Sequence, residues 1–357
     1  MPADRLSRLR ARRSELGVDA LFLTRLSDIR WTCGFTGSNA VLLVGGNEAH
    51  FVTDGRYTDQ ARQEVEGAEV HVTQDGLLSY LTEEELVDSY KRIGVQADDV
   101  TVSRFQSLED QLPDVEWTPV TQVLTRLRAS KEEEEVERIR RAQRITEAVF
   151  DEIVELLGVG ITEREIAAEI TYRHLQKGAD TMAFPPIVAS GPHAAQPHAR
   201  PTDRKLQEGD MVVLDMGCFR DGYASDMTRT VAVGEPTEEA RSAFDVVRRA
   251  QARALEAAQA GMTGKELDGV ARTVIEDAGL GSYFSHSLGH GIGLAVHEWP
   301  RVSYKTEEEL PEGACVTIEP GVYVPEKGYG VRIEDIVVLR PDGAENLTKT
   351  RKTLLTV

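Results

Sequence analysis

Apolar and polar positions follow two rhythms along the chain, and the change between them predicts two domains. In the first stretch, Leu6, Leu9 and Leu16 share one helical face ahead of Gly17, a natural helix stop. The run 20–24 reads as a buried strand. After a loop at 32–39, residues 40–44 turn at Gly45-Gly46-Asn47 into a strand at 51–53, a hairpin. A helix over 58–65 and weaker strands at 69–72 and 92–95 follow, and 113–123 carries few helix signals. This order predicts a small α/β domain over residues 1–125. At Arg128-Ala-Ser-Lys-Glu-Glu-Glu-Glu135 the composition changes: Ser130 followed by acids predicts a helix start. Val136, Ile139, Ala142, Ala148 or Val149, and Ile153 continue its apolar stripe. A second domain therefore spans 126–357.

That second domain repeats itself. Gly160-Ile-Thr-Glu-Arg-Glu165 and Gly261-Met-Thr-Gly-Lys-Glu266 share the pattern Gly-x-Thr-x-x-Glu, each a capping box that opens a helix. Each is followed by an apolar run that carries an acid, turns, and returns with a second acid. In the first, a turn centred between Arg220 and Asp221 places Asp215 opposite Asp226. In the second, a turn centred between Glu326 and Lys327 places Glu319 opposite Glu334. Like charges directly across a ladder repel. One such pair could be solvated at its strand ends, but two matching pairs call for something positive between them. The order of helix, capped helix, strand and acid hairpin, used twice, predicts an α+β domain with a pseudo-two-fold internal repeat and both pairs at its midline.

Composition narrows the partners. Hydrophobic content of 41% and charged content of 28% are those of an ordinary globular chain. A formal net charge of −19 argues against nucleic acid and anionic membranes, whose phosphates it would repel. Cys33, Cys218 and Cys315 are too few and too scattered for a disulfide framework and suit buried thiols in a reducing cytoplasm. The basic, amphipathic N-terminus lacks the apolar segment and cleavage site of a secretory leader. No run approaches the ~18 apolar residues of a membrane span.

Five of the eight histidines, His193, His198, His286, His290 and His297, fall between residues 193 and 297, in the same domain as the acids. His50, His71 and His174 are expected to be ordinary surface or packing residues. His290 sits in Leu288-Gly-His-Gly-Ile-Gly293, where glycines let the backbone approach a centre closely. Four carboxylates and one imidazole make a hard site too negative for one divalent ion and suited to two, of the manganese type. Such a pair activates a water near neutral pH and polarises a carbonyl, so the expected reaction class is metal-assisted hydrolysis.

The ordered strings Leu214-Asp-Met-Gly217, Gly222-Tyr-Ala-Ser-Asp-Met-Thr-Arg-Thr230, Gly289-His-Gly-Ile-Gly293, Val296-His-Glu298, Thr317-Ile-Glu-Pro-Gly321 and Val331-Arg-Ile-Glu-Asp335 resemble the Xaa-Pro peptidases. These are aminopeptidase P and prolidase, pita-bread relatives of methionine aminopeptidase. Gly34-Phe-Thr-Gly-Ser38 and Thr53-Asp-Gly-Arg-Tyr57 look like their creatinase-type N-terminal domain, so the resemblance spans the chain. It implies two divalent metal ions per chain, manganese first with cobalt, zinc or iron as alternatives. Asp215 would hold one ion, Asp226 and Glu334 would bridge both, and His290 with Glu319 would complete the other. Glu319 would also shuttle the proton, His198 and His297 would contact substrate, and Arg332 would steady the site. The family often has Gly after the histidine corresponding to His198; here Ala199 stands there.

The resemblance also implies a homodimer and Xaa-Pro peptides as substrates. A dipeptidase needs a positive group for the free carboxylate and closure of the space beyond it. Arg301 could supply the charge or be an ordinary solvent-facing residue, and residues 34–39 offer no acid–base clamp. The first expectation is therefore an Xaa-Pro aminopeptidase, with a prolidase restricted to dipeptides as the alternative. A non-catalytic binding module, as in metal-free members of this architecture, would require lost ligands, and all five are present.

Overall fold

A computed structural model describes the backbone of residues 2–357 and the side chains of residues 4–357. The chain forms two compact units, Met1–Arg128 and Ala129–Val357.

The first unit is built on its two most apolar runs. Helix α1 (Pro2–Glu15) leads into β1 (Ala20–Leu23), α2 (Leu26–Cys33) and β2 (Ala40–Val44). Then come β3 (Ala49–Asp54), α3 (Thr58–Glu64), β4 (Glu69–Thr73), α4 (Leu77–Glu83), β5 (Arg92–Gln96), α5 (Val102–Gln111), β6 (Glu116–Val120) and α6 (Thr125–Ala129). The strands make one six-stranded sheet in the order β4-β3-β2-β1-β5-β6. Every residue of β1 and β2 is buried, as expected of strands covered on both faces. Helix α2 occupies residues to which the apolar pattern assigned no element. It is eight residues long, its N-cap Arg25 provides no side-chain acceptor, and it stops at Gly34 with φ 93°. Tertiary contacts hold it instead: its buried Asp28 accepts from Gln96 Nε2 at 2.6 Å and Arg128 Nη1 at 2.6 Å.

In the second unit the long helix α7 (Glu133–Val154) starts two residues later than expected. Ser130 is tied into a bridge with Ala314, and Lys131 N donates to the Gly313 carbonyl at 2.9 Å, which keeps the chain extended. Glu132 is therefore the N-cap, in a reciprocal capping box with Glu135. Of the two candidates for the fourth stripe position, Val149 is the buried one. After α7 come α8 (Glu163–Gln176), β7 (Thr181–Met182), β8 (Ile187–Ser190), β9 (Met211–Met216), β10 (Cys218–Arg220), β11 (Tyr223–Ala224) and β12 (Met227–Ala232). The second half holds α9 (Glu238–Ala257), α10 (Gly264–Asp277), β13 (Gly289–Gly291), β14 (Glu298–Val302), β15 (Cys315–Ile318), β16 (Gly321–Val324), β17 (Tyr329–Arg332), β18 (Asp335–Arg340) and β19 (Gly343–Asn346).

The repeat is structural. Thr162 with Glu165 and Thr263 with Glu266 both form complete capping boxes. The backbone repeats with them. Gly160 N bonds to Leu206 O and Leu206 N to Ile161 O; in the second half Gly261 N bonds to Leu310 O and Leu310 N to Met262 O. The halves meet where Thr230 Oγ1 of β12 donates to the Arg332 carbonyl of β17 and accepts its N–H.

The first acid hairpin differs from the expected register by two residues. Asp215 pairs with Thr228, not Asp226, because the turn falls on Asp221-Gly222, with φ 51° and 74°. An Asp-Gly pair tolerates two consecutive positive φ values, as a two-residue hairpin turn requires, whereas Arg-Asp does not. A shift of two leaves both acids on the same face. The second hairpin keeps the expected register: Gly321 pairs with Arg332 and Ile318 with Asp335, so Glu319 and Glu334 are level. There the strands part. Glu319 N donates to Leu288 O and Glu334 N to Thr228 O, so both acids sit at a branch point between sheets.

Behind that branch lies a buried ion pair. Arg229 Nη2 reaches Asp335 Oδ1 at 2.8 Å, and Arg229 Nη1 donates to the carbonyls of Thr228 and Glu334. Losing Arg229 would leave Asp335 its contact with Lys352 Nζ at 2.5 Å but remove the buried pair and the bonds to the Thr228 and Glu334 carbonyls, a cost of roughly 3–5 kcal/mol, the range for one partner of a buried pair. Urea unfolding of Arg229→Met should show a loss of that order; a loss under about 1 kcal/mol, the size of a surface pair, would contradict the structural weight given to this contact.

Candidate metal centre

Five side chains expected to act together do converge. Asp215 comes from β9, Asp226 immediately precedes β12, His290 lies on β13, and Glu319 and Glu334 flank the second hairpin. His290 Nδ1 lies 3.1 Å from the Gly291 carbonyl, which can only accept, so the proton is assigned to Nδ1. That leaves the Nε2 lone pair facing the acids, 3.3 Å from Glu319 Oε1 and 3.7 Å from Asp226 Oδ2. Ligand atoms of Asp226, His290 and Glu334 all lie within 4.8 Å of one another. The glycine before His290 is required by close packing: a Cβ on Gly289 would fall 1.9 Å from the Thr317 carbonyl oxygen.

Hydroxyls orient the carboxylates. Thr228 Oγ1 donates to Glu334 Oε2 at 2.8 Å, and Thr317 Oγ1 to Glu319 Oε1 at 3.0 Å. Arg332 is buried, and its guanidinium donates to Asp215 Oδ2 (2.6 Å), the Tyr323 hydroxyl, the Pro197 carbonyl and Thr228 Oγ1. These bonds occupy all but one of its N–H groups, which suits the steadying role expected of it and leaves little for direct contact with substrate. Asp215 Oδ1 is buried without a hydrogen-bond partner.

Sequence reasoning passed over Thr228, Thr317 and Tyr323, although period-two alternation marks all three. Thr228 follows Asp226 by two, Thr317 precedes Glu319 by two, and Tyr323 follows Glu319 by four, so each shares the face of a predicted acid. The Tyr323 hydroxyl also meets His286 Nε2 at 2.9 Å, and burial pushes the His286 imidazole down to about 4. His193 is held by Glu163 and His174 by Thr146, away from the acids.

The remaining site candidates are His297, His198 and Arg301. The His297 ring stands edge-on to His290, with centroids 4.2 Å apart. His198 is exposed and directly follows Pro197, whose carbonyl is anchored by Arg332. Arg301 is exposed on β14 and pairs directly with His290, so the two share a sheet face.

The charges do not balance among the protein groups. Burial raises the pKa values of Asp226 and Glu334 well above the carboxylate range, and the neighbouring carboxylates add to the effect. Glu319 is pushed up to about 7, again chiefly by burial and against the opposing pull of Arg332. Burial holds His290 in its neutral form. Hard oxygen donors, a free imidazole lone pair and an orphaned Asp215 oxygen therefore converge where extra positive charge is needed. This donor set fits divalent cations.

Known proteins resemble the chain along its whole length. The profile of metallopeptidase family M24 matches residues 137–341, and that of the creatinase/prolidase N-terminal domain matches residues 5–130. The chain is 36% identical over 353 residues to the Xaa-Pro dipeptidase of Pyrococcus furiosus, covering 99% of each. The solved Xaa-Pro dipeptidase from Bacillus anthracis superposes with a TM-score of 0.97 at 34% identity over 100% of both chains. An X-Pro aminopeptidase from Thermotoga maritima superposes with a TM-score of 0.90 at 38% identity, covering 97% of this chain and 100% of that one.

Burial of the acids predicts a pH dependence. Glu319 ordinarily titrates at 4.5 and in the metal-free fold at about 7, so between these values the folded state binds the extra proton. Stability of chelator-treated protein should therefore fall as the pH rises through that window, because the unfolded chain gives up its proton first. Divalent cations should remove the fall. Thermal midpoints across this range, with EDTA and with manganese, check it; identical profiles would contradict the charge imbalance.

Proposed function

Because the chain belongs to metallopeptidase family M24, among its Xaa-Pro peptidases and with a creatinase/prolidase N-terminal domain, we propose that it is an Xaa-Pro dipeptidase. Its catalytic domain has the pita-bread fold, and the protein is a metallopeptidase. The observation that carries the substrate reading is end-to-end likeness to proteins named Xaa-Pro dipeptidase, with identities of 36% and 34% and a TM-score of 0.97. This reverses the order expected from sequence, which put the aminopeptidase first. That second reading keeps support from the Thermotoga maritima X-Pro aminopeptidase. Arg301 favours the dipeptidase: an exposed cation on the His290 face suits the free carboxylate of an Xaa-Pro dipeptide.

Asp215, Asp226, His290, Glu319 and Glu334 would hold two divalent cations, manganese first. When bound, such ions neutralise the acids, polarise the scissile carbonyl and lower the pKa of a water. The chain's own groups do the rest. Arg332 fixes Asp215, while Thr228 and Thr317 aim Glu334 and Glu319. Glu319 takes a proton from the attacking water and returns it to the proline nitrogen as the C–N bond breaks. His297 and His198 donate hydrogen bonds to the oxygen that gains charge at the scissile carbon. A proline on the leaving side makes a tertiary amide without an N–H, so recognition rests on shape and on the carboxylate beyond it.

Two experiments test this. Asp226→Asn should lower both cation occupancy and turnover at least about tenfold, whereas His297→Ala should keep the cations and lose roughly 10²–10³ in kcat. Elemental analysis beside kinetics separates the two effects, and full occupancy in Asp226→Asn would overturn the ligand assignment. For substrate length, Ala-Pro should be hydrolysed and Ala-Pro-Ala should not. Efficient release of alanine from the tripeptide would instead establish the aminopeptidase.

A further inference from the structure

The first unit holds a second cluster of metal-ligating side chains that the peptidase chemistry does not use. His50 lies on β3, and Glu69 and His71 lie on β4, an edge of the six-stranded sheet. The strands run parallel with His50 level with Glu69, and Glu69 and His71 are two residues apart, so all three side chains share one face. We infer that His50, Glu69 and His71 form a binding site for a borderline divalent transition metal ion, zinc first, which clips the edge strand to the sheet.

The donor atoms have the right mutual spacing. His50 Nδ1 is 3.1 Å from His71 Nε2 and 3.6 Å from Glu69 Oε2, and His71 Nε2 is 3.9 Å from that same oxygen. Ligands about 2.0–2.1 Å from a tetrahedral zinc stand roughly 3.3–3.5 Å from one another, so a small contraction would close the triangle around an ion. The rings are also held as ligands usually are. The Tyr80 hydroxyl lies 3.4 Å from His71 Nδ1, and Glu48 Oε2 lies 3.8 Å from His50 Nε2, each facing the nitrogen turned away from the cluster. The Glu48 carboxylate favours a proton on His50 Nε2, and the Tyr80 hydroxyl can accept one from His71 Nδ1, the arrangement that turns both remaining lone pairs to the shared centre.

A hydrogen bond between the two rings would account for the 3.1 Å contact alone. It does not account for Glu69, whose side chain is 69% exposed yet turned towards both nitrogens. A neutral ring N–H can donate to a carboxylate, but one proton between the two rings cannot serve both the 3.1 Å N···N contact and Glu69, which lies 3.6 and 3.9 Å from the same two nitrogens. His50 is buried, His71 is half-buried and Glu69 is exposed, which leaves a solvent-facing side for entry and for a water as fourth ligand. Two imidazoles and one carboxylate favour zinc, nickel or copper over manganese, whereas the acid-rich centre of the second unit favours the harder ion. One chain would thus sort two kinds of metal by donor chemistry.

The test uses full-length protein stripped with chelator, reloaded with excess manganese and titrated with zinc, with bound metals measured after gel filtration. Wild type should retain one more zinc equivalent per chain than His71→Gln. Glu69→Gln should weaken that equivalent at least about tenfold. Zinc should raise the unfolding temperature of wild type and not of His71→Gln, and Ala-Pro hydrolysis should be unchanged in both variants. Equal zinc retention by wild type and His71→Gln overturns the site. Should His71→Gln fail to fold, the exposed Glu69→Gln decides: unaltered zinc affinity there overturns the site equally.

Discussion

Carboxylates that share a buried pocket cannot all be anions unless positive charge is supplied, and the second unit is arranged around that constraint. Asp215, Asp226, Glu319 and Glu334 face one another with Arg332 as the cation bonded among them. One guanidinium cannot balance four acids. The fold therefore either keeps protons on them or recruits cations, and the free Nε2 of His290 and the orphaned oxygen of Asp215 favour cations. Inward-turned acids cost stability in the empty protein. The surrounding hydrogen bonds and the Arg229–Asp335 pair hold them there against that cost.

Duplication is how one chain brings four acids to one place. Each half contributes a capped helix pair and an acid hairpin, and the hairpins meet through Thr230, Thr228 and the backbone of Arg332 and Glu334. The second hairpin branches at its acids, which frees Glu319 and Glu334 from the ladder and lets their amides anchor to two other segments. The same hydroxyls that join the halves orient the carboxylates, so folding of the midline and preorganisation of the site are one event. A two-state unfolding transition of this unit would carry the site with it.

The proposed selectivities, for proline and for metal, are both choices among chemically similar options. A tertiary amide removes one hydrogen bond that other peptidases use, so under the proposed dipeptidase reading what remains to read is ring shape and the charge beyond it, which Arg301, paired with His290, would meet. Metals would be sorted by donor hardness: oxygen donors dominate the centre of the second unit, and imidazoles dominate the proposed His50, Glu69 and His71 site of the first.

Much of this was legible in the residues themselves, because local rules are written in local spacing. Gly17 ends the first helix, both Gly-x-Thr-x-x-Glu strings make capping boxes, and the Pro325–Gly328 turn fixes the second hairpin's register. The five converging side chains follow from those patterns and from the motifs around them. Other features depended on distant partners. Ser130 lost its cap role because its backbone pairs with Ala314, and the first hairpin slipped by two because Asp221 and Gly222, not Arg220, accept left-handed φ. Helix α2 needed Gln96 and Arg128 to bury its Asp28. Tyr323 and the hydroxyls of Thr228 and Thr317 were marked by alternation but became site residues only when strands from both halves stacked. His50 and His71, 21 residues apart, read as ordinary until a parallel strand pair set them level with Glu69. Sequence spacing determines which side chains share a face of one element. Which faces meet is decided by long-range packing, whose partners no single stretch contains.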